Sequence, residues 1–311
     1  MEQRNLGRSG LRVSLVGLGC NNFGARVDQA GTRAVVHKAL DAGITLFDTA
    51  DVYGERRSEG FLAEALGDRR KDIVLATKFG MPMDPEGRLK GGSRRYIMTA
   101  VEASLTRLKT DWIDLYQYHR PDPLTPLEET LRALEDLVRQ GKVRYLGCSN
   151  LPAWQVVEAQ WLARSGGLSG FVSCQDEYSL LARGPERDLL PAMQAHGLGL
   201  LPYYPLASGL LTGKHRRDGS TFAGTRLATT QVFKDLFVRD ANWTKVEALR
   251  GFADARGHTL LELAMSWLAA RPTVSSIIAG ATRPEQIEAN VKATGWALTP
   301  EDLAAIDKLL A

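Results

Sequence analysis

Short apolar segments alternate with amphipathic segments along the 311-residue chain. Each apolar segment is five to seven residues long and lies between polar or turn-forming residues, a pattern typical of buried β-strands. Eight segments have this character, at Leu15–Gly19, Thr45–Thr49, Ile73–Lys78, Ile113–His119, Val143–Ser149, Phe171–Gln175, Leu198–Tyr203 and Ser276–Gly280.

The segments between these strands have the periodicity of α-helices. Residues Gln29–Ala42 place apolar side chains at helical spacing, and Gly43 supplies a stop signal. The segment Thr125–Gly141 opens with an N-cap threonine, a first-turn proline and two acidic residues, which together predict a helix start. The same signature predicts a last helix over Thr299–Leu310.

This order of elements predicts an α/β fold. Strict alternation of strands and helices favours parallel strands, and eight is the number that closes a (β/α)8 TIM barrel. A turn at Arg8-Ser9-Gly10 adds an N-terminal β-hairpin, and the last helix is an additional C-terminal one. We expect a single domain over residues 1–311 because no linker or internal repeat interrupts the pattern.

An open doubly wound sheet is the rival fold. It is disfavoured because Gly17-Leu18-Gly19 lacks the third glycine of the dinucleotide-binding fingerprint, and no helix is predicted directly after it. The longest irregular region, Leu206–Asn242, is rich in Gly, Thr, Lys and Arg, and a loop of that length is typically functional or mobile.

Composition and charge narrow the classes of partner. The net charge of +3 is small for this length and argues against nucleic acid as the main partner. No apolar run has the length of a membrane span, and the N-terminus has no signal-peptide core. Three cysteines without C-x-x-C spacing predict no metal site and no disulfide framework, so the expected location is the reducing cytoplasm.

Four residues with acid–base chemistry lie at or just after three consecutive predicted strands: Asp48, Tyr53, Lys78 and His119. Groups at the carboxyl ends of barrel strands converge at one mouth. Reduction of a carbonyl needs hydrogen-bond donors and a proton at its oxygen. We therefore predict that Tyr53 donates the proton, that the Lys78 ammonium lowers the phenol pKa, that Asp48 anchors Lys78, and that His119 is a second donor.

Each of these residues also has a structural interpretation. Asp48 could form a turn, Lys78 could be a solvated charge, His119 a loop residue and Tyr53 a packing residue. Four unrelated structural roles would have to occur by chance at successive strand ends. The catalytic interpretation is therefore favoured. A Schiff-base enzyme using Lys78 is disfavoured because a nearby Asp48 would keep the ammonium protonated.

The chain resembles the aldo-keto reductase superfamily over essentially its whole length. The resemblance is carried by Asp48-Thr49-Ala50 with Tyr53-Gly54 and Ser58-Glu59, Ala76-Thr77-Lys78-Phe79-Gly80, Asp114-Leu115-Tyr116 with His119, Gly141-Lys142-Val143-Arg144 with Gly147-Cys148-Ser149-Asn150, Gln175 with Glu177-Tyr178-Ser179, Tyr203 with the run Pro205–Lys214, and Gly280-Ala281-Thr282-Arg283-Pro284-Glu285-Gln286-Ile287 with Asn290. It implies a (β/α)8 barrel, NADPH as hydride source, and aldehydes or ketones as substrates. The four residues above match the family's catalytic tetrad.

The resemblance also implies the cofactor-binding residues. Those expected to hold the nicotinamide carboxamide are Ser149, Asn150 and Gln175, and Tyr203 is expected to stack on the ring. Those expected to cover the pyrophosphate are Leu206, Ser208, Leu211 and Lys214. Those expected at the 2′-phosphate and the adenine are Gly280, Thr282, Arg283, Gln286 and Asn290. Arg283 at a helix N-terminus also suits an anion on physical grounds, although an ordinary helix cap is the alternative.

Two further alternatives stay open. The basic run Lys214-His215-Arg216-Arg217 could be a solvated loop, and without neighbouring aromatic residues a nucleic-acid patch is disfavoured. The chain could also be a cofactor-binding regulatory subunit, similar to the potassium-channel β-subunits that share this barrel. We expect a monomer or a weak homo-oligomer, and the sequence does not specify the physiological substrate.

Overall fold

The computed structural model describes residues 1–222, 225, 227 and 231–310 of the chain. The chain begins with an antiparallel hairpin of β1 (Gln3–Asn5) and β2 (Arg12–Ser14), as the sequence predicts. Eight strands of a second sheet follow, β3 (Val16–Gly19), β4 (Leu46–Asp48), β5 (Val74–Phe79), β6 (Ile113–Tyr118), β7 (Val143–Ser149), β8 (Phe171–Glu177), β9 (Gly199–Tyr203) and β10 (Ile277–Gly280).

The eight strands form a parallel barrel. Each strand from β3 to β9 pairs with the next in sequence, and β10 returns to pair with β3. The circle closes beside β9, where the Leu200 N–H donates to the Thr273 carbonyl oxygen at 2.7 Å and the Ser275 N–H donates to the Leu200 carbonyl oxygen at 2.9 Å. The predicted (β/α)8 barrel is therefore confirmed, and an open doubly wound sheet is excluded.

Helices follow every strand of the barrel and cover its outer face. They are α1 (Gln29–Asp41), α2 (Ser58–Leu66), α3 (Arg94–Leu108), α4 (Leu127–Arg139), α5 (Ala153–Gly166), α6 (Leu189–His196), α7 (Gln231–Phe237), α8 (Asp240–Asp254), α9 (Leu260–Ala269), α10 (Pro284–Lys292) and α11 (Pro300–Leu310). In the part of the chain that the structure describes, no helix is long and apolar enough to cross a membrane. The three cysteines are buried and free.

The region predicted to be irregular, Leu206–Asn242, is partly helical. A 3₁₀ segment occupies Ala207–Thr212, α7 lies within the region, and α8 begins before its end. The prediction rested on composition, which overlooked short helices at both ends. Residues 223, 224, 226 and 228–230, which belong to the same predicted region, lie outside the described residues.

The barrel interior is apolar at one end and polar at the other. Side chains alternate along a strand, so residues two apart share a face. The interior apolar cluster contains Leu46, Ala76, Leu115, Leu201 and Ile278, together with Leu6 and Val13 of the hairpin region. Two positions further along three of these strands stand Asp48, Lys78 and Gln117. The hairpin thus closes the amino end, and the polar residues of the carboxyl end rest on an apolar floor.

Candidate active site

Lys78 is at the centre of the polar layer and is fully buried. Its Nζ donates hydrogen bonds to Asp48 Oδ2 at 2.6 Å and to the Thr49 carbonyl oxygen at 2.8 Å. A third bond from the same nitrogen reaches the Tyr53 hydroxyl oxygen at 3.2 Å. An ammonium has three N–H donors, and all three are used here. Because Tyr53 accepts this bond, its own O–H can still donate to another acceptor.

Asp48 is held by a second set of donors. Its Oδ1 accepts from Gln117 Nε2 at 2.8 Å and from Gln175 Nε2 at 2.9 Å. The Gln175 amide nitrogen also lies 3.2 Å from Gln117 Oε1, so the two amides are joined to each other. These contacts fix the carboxylate, which in turn fixes the ammonium of Lys78.

Tyr53 is presented by a tight turn after β4. Its N–H donates to the Ala50 carbonyl oxygen at 3.2 Å, and the Asp51 N–H donates to the Lys78 carbonyl oxygen at 3.2 Å. Gly54 has a φ of 57°, and a Cβ at this position would lie 2.0 Å from the Phe23 carbonyl oxygen. Only glycine fits such a position, which explains why the turn ends on this residue.

The pKa shifts of Lys78 and Tyr53 agree only in part with what the sequence predicts. Burial by itself lowers the pKa of the Lys78 ammonium, but the Asp48 carboxylate and the hydrogen bonds raise that pKa above its usual value. Enclosure by protein raises the pKa of the Tyr53 phenol, and the Lys78 ammonium opposes this shift without cancelling it. The sequence predicts a phenol more acidic than usual, whereas the pKa of Tyr53 is raised, because desolvation outweighs the ammonium.

His119 follows β6 beside Tyr53, with the two ring centroids 5.8 Å apart and the rings at 84°. Burial first, and then the charges of Lys78 and Arg120, lower the pKa of His119 to about 3. The imidazole is therefore neutral near neutral pH and carries one N–H donor. Its Nδ1 is buried and has no hydrogen-bond partner among the described residues.

Asn150 connects the ends of several strands. It has a left-handed backbone with a φ of 60°. Its Nδ2 donates to the His119 carbonyl oxygen at 3.0 Å, and its Oδ1 accepts from the Tyr203 hydroxyl at 2.8 Å. The neighbouring Ser149 Oγ donates to the Gln175 carbonyl oxygen at 2.7 Å. The residues predicted to hold the nicotinamide thus form one hydrogen-bonded group.

A single cavity of about 1060 Å³ extends from the tetrad to the residues expected at the 2′-phosphate, including Thr282 and Arg283. The predicted residues that line it are Asp48, Tyr53, His119, Ser149, Asn150, Gln175, Tyr203, Leu206, Ser208, Lys214, Gly280, Thr282, Arg283, Gln286 and Asn290. Two predicted residues do not. Lys78 lies directly behind Tyr53, and Leu211 is a fully buried part of the apolar core. The expectation for Leu211 therefore has no support from its position.

Three cations gather at the end of the cavity away from the tetrad. Partial burial and the charges of Arg283 and Arg26 lower the pKa of Lys214. Nearby, the Ser208 Oγ is buried and has no partner among the described residues. Such a concentration of positive charge with a free hydroxyl suits an anionic ligand.

Arg283 caps α10, whose first residue is Pro284. Gln286 turns back onto this loop, where its Oε1 accepts from the Thr282 backbone N–H at 2.7 Å and lies 3.2 Å from Thr282 Oγ1. These contacts tie Thr282 to the first turn of α10, whose dipole adds to the positive potential of the cations.

Comparison with known proteins identifies the family. A model of the Aldo/keto reductase family matches residues 15–311. The chain belongs to this family. Its relatives include proteins described as oxidoreductases, so this aldo/keto reductase is an oxidoreductase with a small-molecule substrate.

Three relatives span almost the whole chain. This aldo/keto reductase is 39% identical over 322 residues to a probable voltage-gated potassium channel subunit beta of Arabidopsis thaliana, with 100% of the chain and 97% of the relative covered. It is 37% identical over 320 residues to the uncharacterized oxidoreductase YrpG of Bacillus subtilis, covering 99% and 96%. It is 33% identical over 330 residues to L-glyceraldehyde 3-phosphate reductase of Escherichia coli K12, covering 100% and 93%.

Sequence reasoning missed three residues of this aldo/keto reductase site. Gln117 contacts Asp48. It lies two residues after the interior Leu115, and this spacing could have predicted that its side chain faces the barrel interior. Arg26 and Arg120 line the cavity from loops, where no periodic pattern predicts which way a side chain points.

Proposed function

We propose that this aldo/keto reductase reduces aldehydes and ketones to alcohols with NADPH, and that Tyr53 is the proton donor. One observation carries the proposal. In the wall of the cavity, the Tyr53 hydroxyl lies 3.2 Å from Lys78 Nζ, which is itself anchored 2.6 Å from Asp48 Oδ2. A phenol next to a fixed ammonium can release its proton to a substrate oxygen as negative charge develops there.

The roles follow from the proton inventory of the site. NADPH, when bound, supplies the hydride. The phenol of Tyr53 keeps its proton in the resting protein, because enclosure raises its pKa. When the substrate oxygen becomes basic, Tyr53 donates this proton, and the Lys78 ammonium stabilises the phenolate that remains. Neutral His119 donates a second hydrogen bond to the same oxygen without adding a charge of its own.

The cavity has the features that NADPH requires. Tyr203 offers an aromatic face near Ser149, Asn150 and Gln175, which supply polar groups for a carboxamide. The opposite end offers the cationic group of Arg26, Lys214 and Arg283 for phosphates. We infer a preference for NADPH over NADH, because the 2′-phosphate adds two negative charges that this group can contact.

Schiff-base chemistry at Lys78 is disfavoured. A nucleophilic lysine must lose its proton, whereas the Asp48 carboxylate raises the pKa of this ammonium. The three hydrogen bonds donated by Lys78 Nζ also leave no lone pair directed at a substrate.

Steady-state oxidation of NADPH with 4-nitrobenzaldehyde and methylglyoxal tests the proposal. Tyr53→Phe should lower kcat by about a hundredfold or more, because a positioned proton donor is lost. Tyr145→Phe is the matched control, since Tyr145 packs against the apolar cluster of the opposite barrel end. Equal rates for wild type and Tyr53→Phe on every carbonyl would refute the assignment.

A regulatory subunit is the second candidate, favoured by the name of the Arabidopsis thaliana relative. Such a protein would retain NADPH tightly and turn it over at about the rate of Tyr53→Phe. Turnover is supported instead by the complete tetrad. Lys78 is hydrogen-bonded to Asp48 and Tyr53, and the ring of Tyr53 lies against that of His119. A stoichiometric complex with a channel, together with negligible reduction of every aldehyde, would favour the regulatory subunit.

A further inference from the structure

Arg120 stands at the tetrad end of the cavity and has no role in the tetrad itself. It directly follows His119 at the carboxyl end of β6, and it lines the same cavity as Tyr53 and His119. The apolar residues Val52 and Met81 line this cavity as well. A guanidinium is therefore available in the space where a substrate must lie if Tyr53 and His119 are to reach its oxygen.

No residue that the structure describes pairs directly with the guanidinium of Arg120. Across residues 1–222, 225, 227 and 231–310, neither an ion pair nor a hydrogen bond joins its guanidinium to another residue. Its influence on the site is electrostatic. It adds to burial and Lys78 in lowering the pKa of His119, and it opposes the rise in the pKa of Tyr203 that burial, Glu177 and Asp176 cause. A guanidinium cannot lose its proton in a protein, so this positive charge is permanent.

The cavity has positive charge at two separate places. Lys214 interacts with both Arg283 and Arg26, and we assign this group to the phosphates of NADPH, whereas Arg120 acts on His119 and Tyr203. Among the described residues that line the cavity, the one carboxylate is Asp48, and it is already paired with Lys78 at 2.6 Å. The charge of Arg120 is thus left over after both the tetrad and the cofactor have been accounted for.

We propose that Arg120 forms an anion subsite, and that the substrate is an aldehyde or ketone with a carboxylate or phosphate group a few atoms from its carbonyl. The planar fork of a guanidinium matches both anions and can bind either through two parallel hydrogen bonds. The inference rests on the proposed reductase function and names the substrate class of that same site. Because Arg120 is exposed, we expect anionic substrates to be preferred over matched neutral ones by about tenfold. This preference is at the low end of what a charge-assisted hydrogen bond contributes.

Two matched substrate pairs test the subsite and separate the two anions. Succinic semialdehyde is compared with methyl 4-oxobutanoate, and glyceraldehyde 3-phosphate is compared with glyceraldehyde. The measured quantity is the ratio of kcat/KM within each pair at saturating NADPH. Wild type should prefer the charged member of at least one pair by about tenfold, and the preference should shrink at high salt.

Three variants assign the preference to the residue. Arg120→Met should bring the ratio close to one, and Arg120→Lys should keep part of it because the charge remains. Arg187→Met removes an exposed guanidinium that pairs with Asp188 and does not line the cavity, so it should leave the ratio unchanged. Since the readout is a ratio, a general loss of activity in a variant cancels.

A binding experiment asks the same question without turnover. Calorimetry with the NADP-saturated protein compares 4-hydroxybutanoate with its neutral amide. Tighter binding of the anion in wild type, lost in Arg120→Met, would support the subsite even if the reductase proposal failed. Equal binding of the two ligands, or a preference that survives in Arg120→Met, would overturn the subsite. Reduction of neutral and charged aldehydes at equal rates would overturn it while leaving the reductase function intact.

Discussion

Replacing Lys78 by methionine tests the link between the ammonium and the proton donor. The variant removes one charge and keeps an unbranched side chain. Lys78 Nζ lies 3.2 Å from the Tyr53 hydroxyl oxygen, where two full charges interact by about 5 kcal/mol at an effective dielectric constant of about 20. If about half of the phenolate charge has formed in the transition state, the loss is about 2.5 kcal/mol, or roughly seventyfold in kcat.

The same substitution should also destabilise the fold. Asp48 would keep its buried charge without the ammonium that now lies 2.6 Å away, and breaking such a pair costs about 3–5 kcal/mol. The double variant Asp48→Asn/Lys78→Met removes both charges, and the new amide oxygen can still accept from Gln117 and Gln175. Stability should therefore return in the double variant, whereas activity should not.

Two measurements separate these effects. Urea unfolding gives the free energy of unfolding of each variant, and single-turnover oxidation of NADPH gives the chemical step. Lys71→Met, at an exposed lysine outside the cavity, is the matched control. Recovery of activity together with stability in the double variant would show that Lys78 acts only by supporting the fold. A single variant with nearly the wild-type rate would refute the electrostatic argument outright.

Three further predictions concern the cofactor, the histidine and the barrel floor. Arg283→Gln should weaken NADPH binding by about tenfold and leave NADH binding nearly unchanged, as measured by fluorescence titration. The unfolded chain protonates His119 below about pH 6.5, whereas the folded chain keeps it neutral down to about pH 3. The unfolding free energy should therefore fall with decreasing pH across that window, and less so in His119→Asn. Leu6→Ala should cost about 2–5 kcal/mol in urea unfolding without lowering kcat, because Leu6 is fully buried in the floor.

Each of these predictions has a result that would contradict it. Equal loss of NADPH and NADH affinity in Arg283→Gln would show that the guanidinium does not discriminate the 2′-phosphate. The same pH dependence of stability in wild type and His119→Asn would mean that His119 is not held neutral by burial. A large loss of kcat in Leu6→Ala would show that the floor positions the polar layer above it.

Much of the architecture could be predicted because it follows from local periodicity. The eight strands lie within one or two residues of their predicted ends, and the hairpin and the last helix are where the turn and capping signals placed them. Because the carboxyl ends of barrel strands meet at one mouth, the sequence also predicts that four side chains lie together, and they are adjacent in the structure: Asp48, Tyr53, Lys78 and His119. Their catalytic roles stay predictions.

What the sequence did not reveal depends on three-dimensional packing. The direction of the Tyr53 pKa shift is a balance between enclosure and a neighbouring charge, and enclosure is not visible in a linear chain. The burial of Leu211 likewise depends on how a loop folds back onto the core. Arg26 and Arg120 lie in irregular segments, whose side-chain directions no periodic pattern specifies.

The central claim is that the Tyr53 phenol, which lies next to the Lys78 ammonium, protonates the substrate. The rate of the hydride-transfer step tests this claim most directly. Single-turnover reduction of 4-nitrobenzaldehyde would be followed with NADPH and with NADPH deuterated at the transferred position, in wild type and in Tyr53→Phe. We predict that Tyr53→Phe slows this step by about a hundredfold or more and that the isotope effect is fully expressed in the variant. An unchanged rate of the isotope-sensitive step would contradict the account.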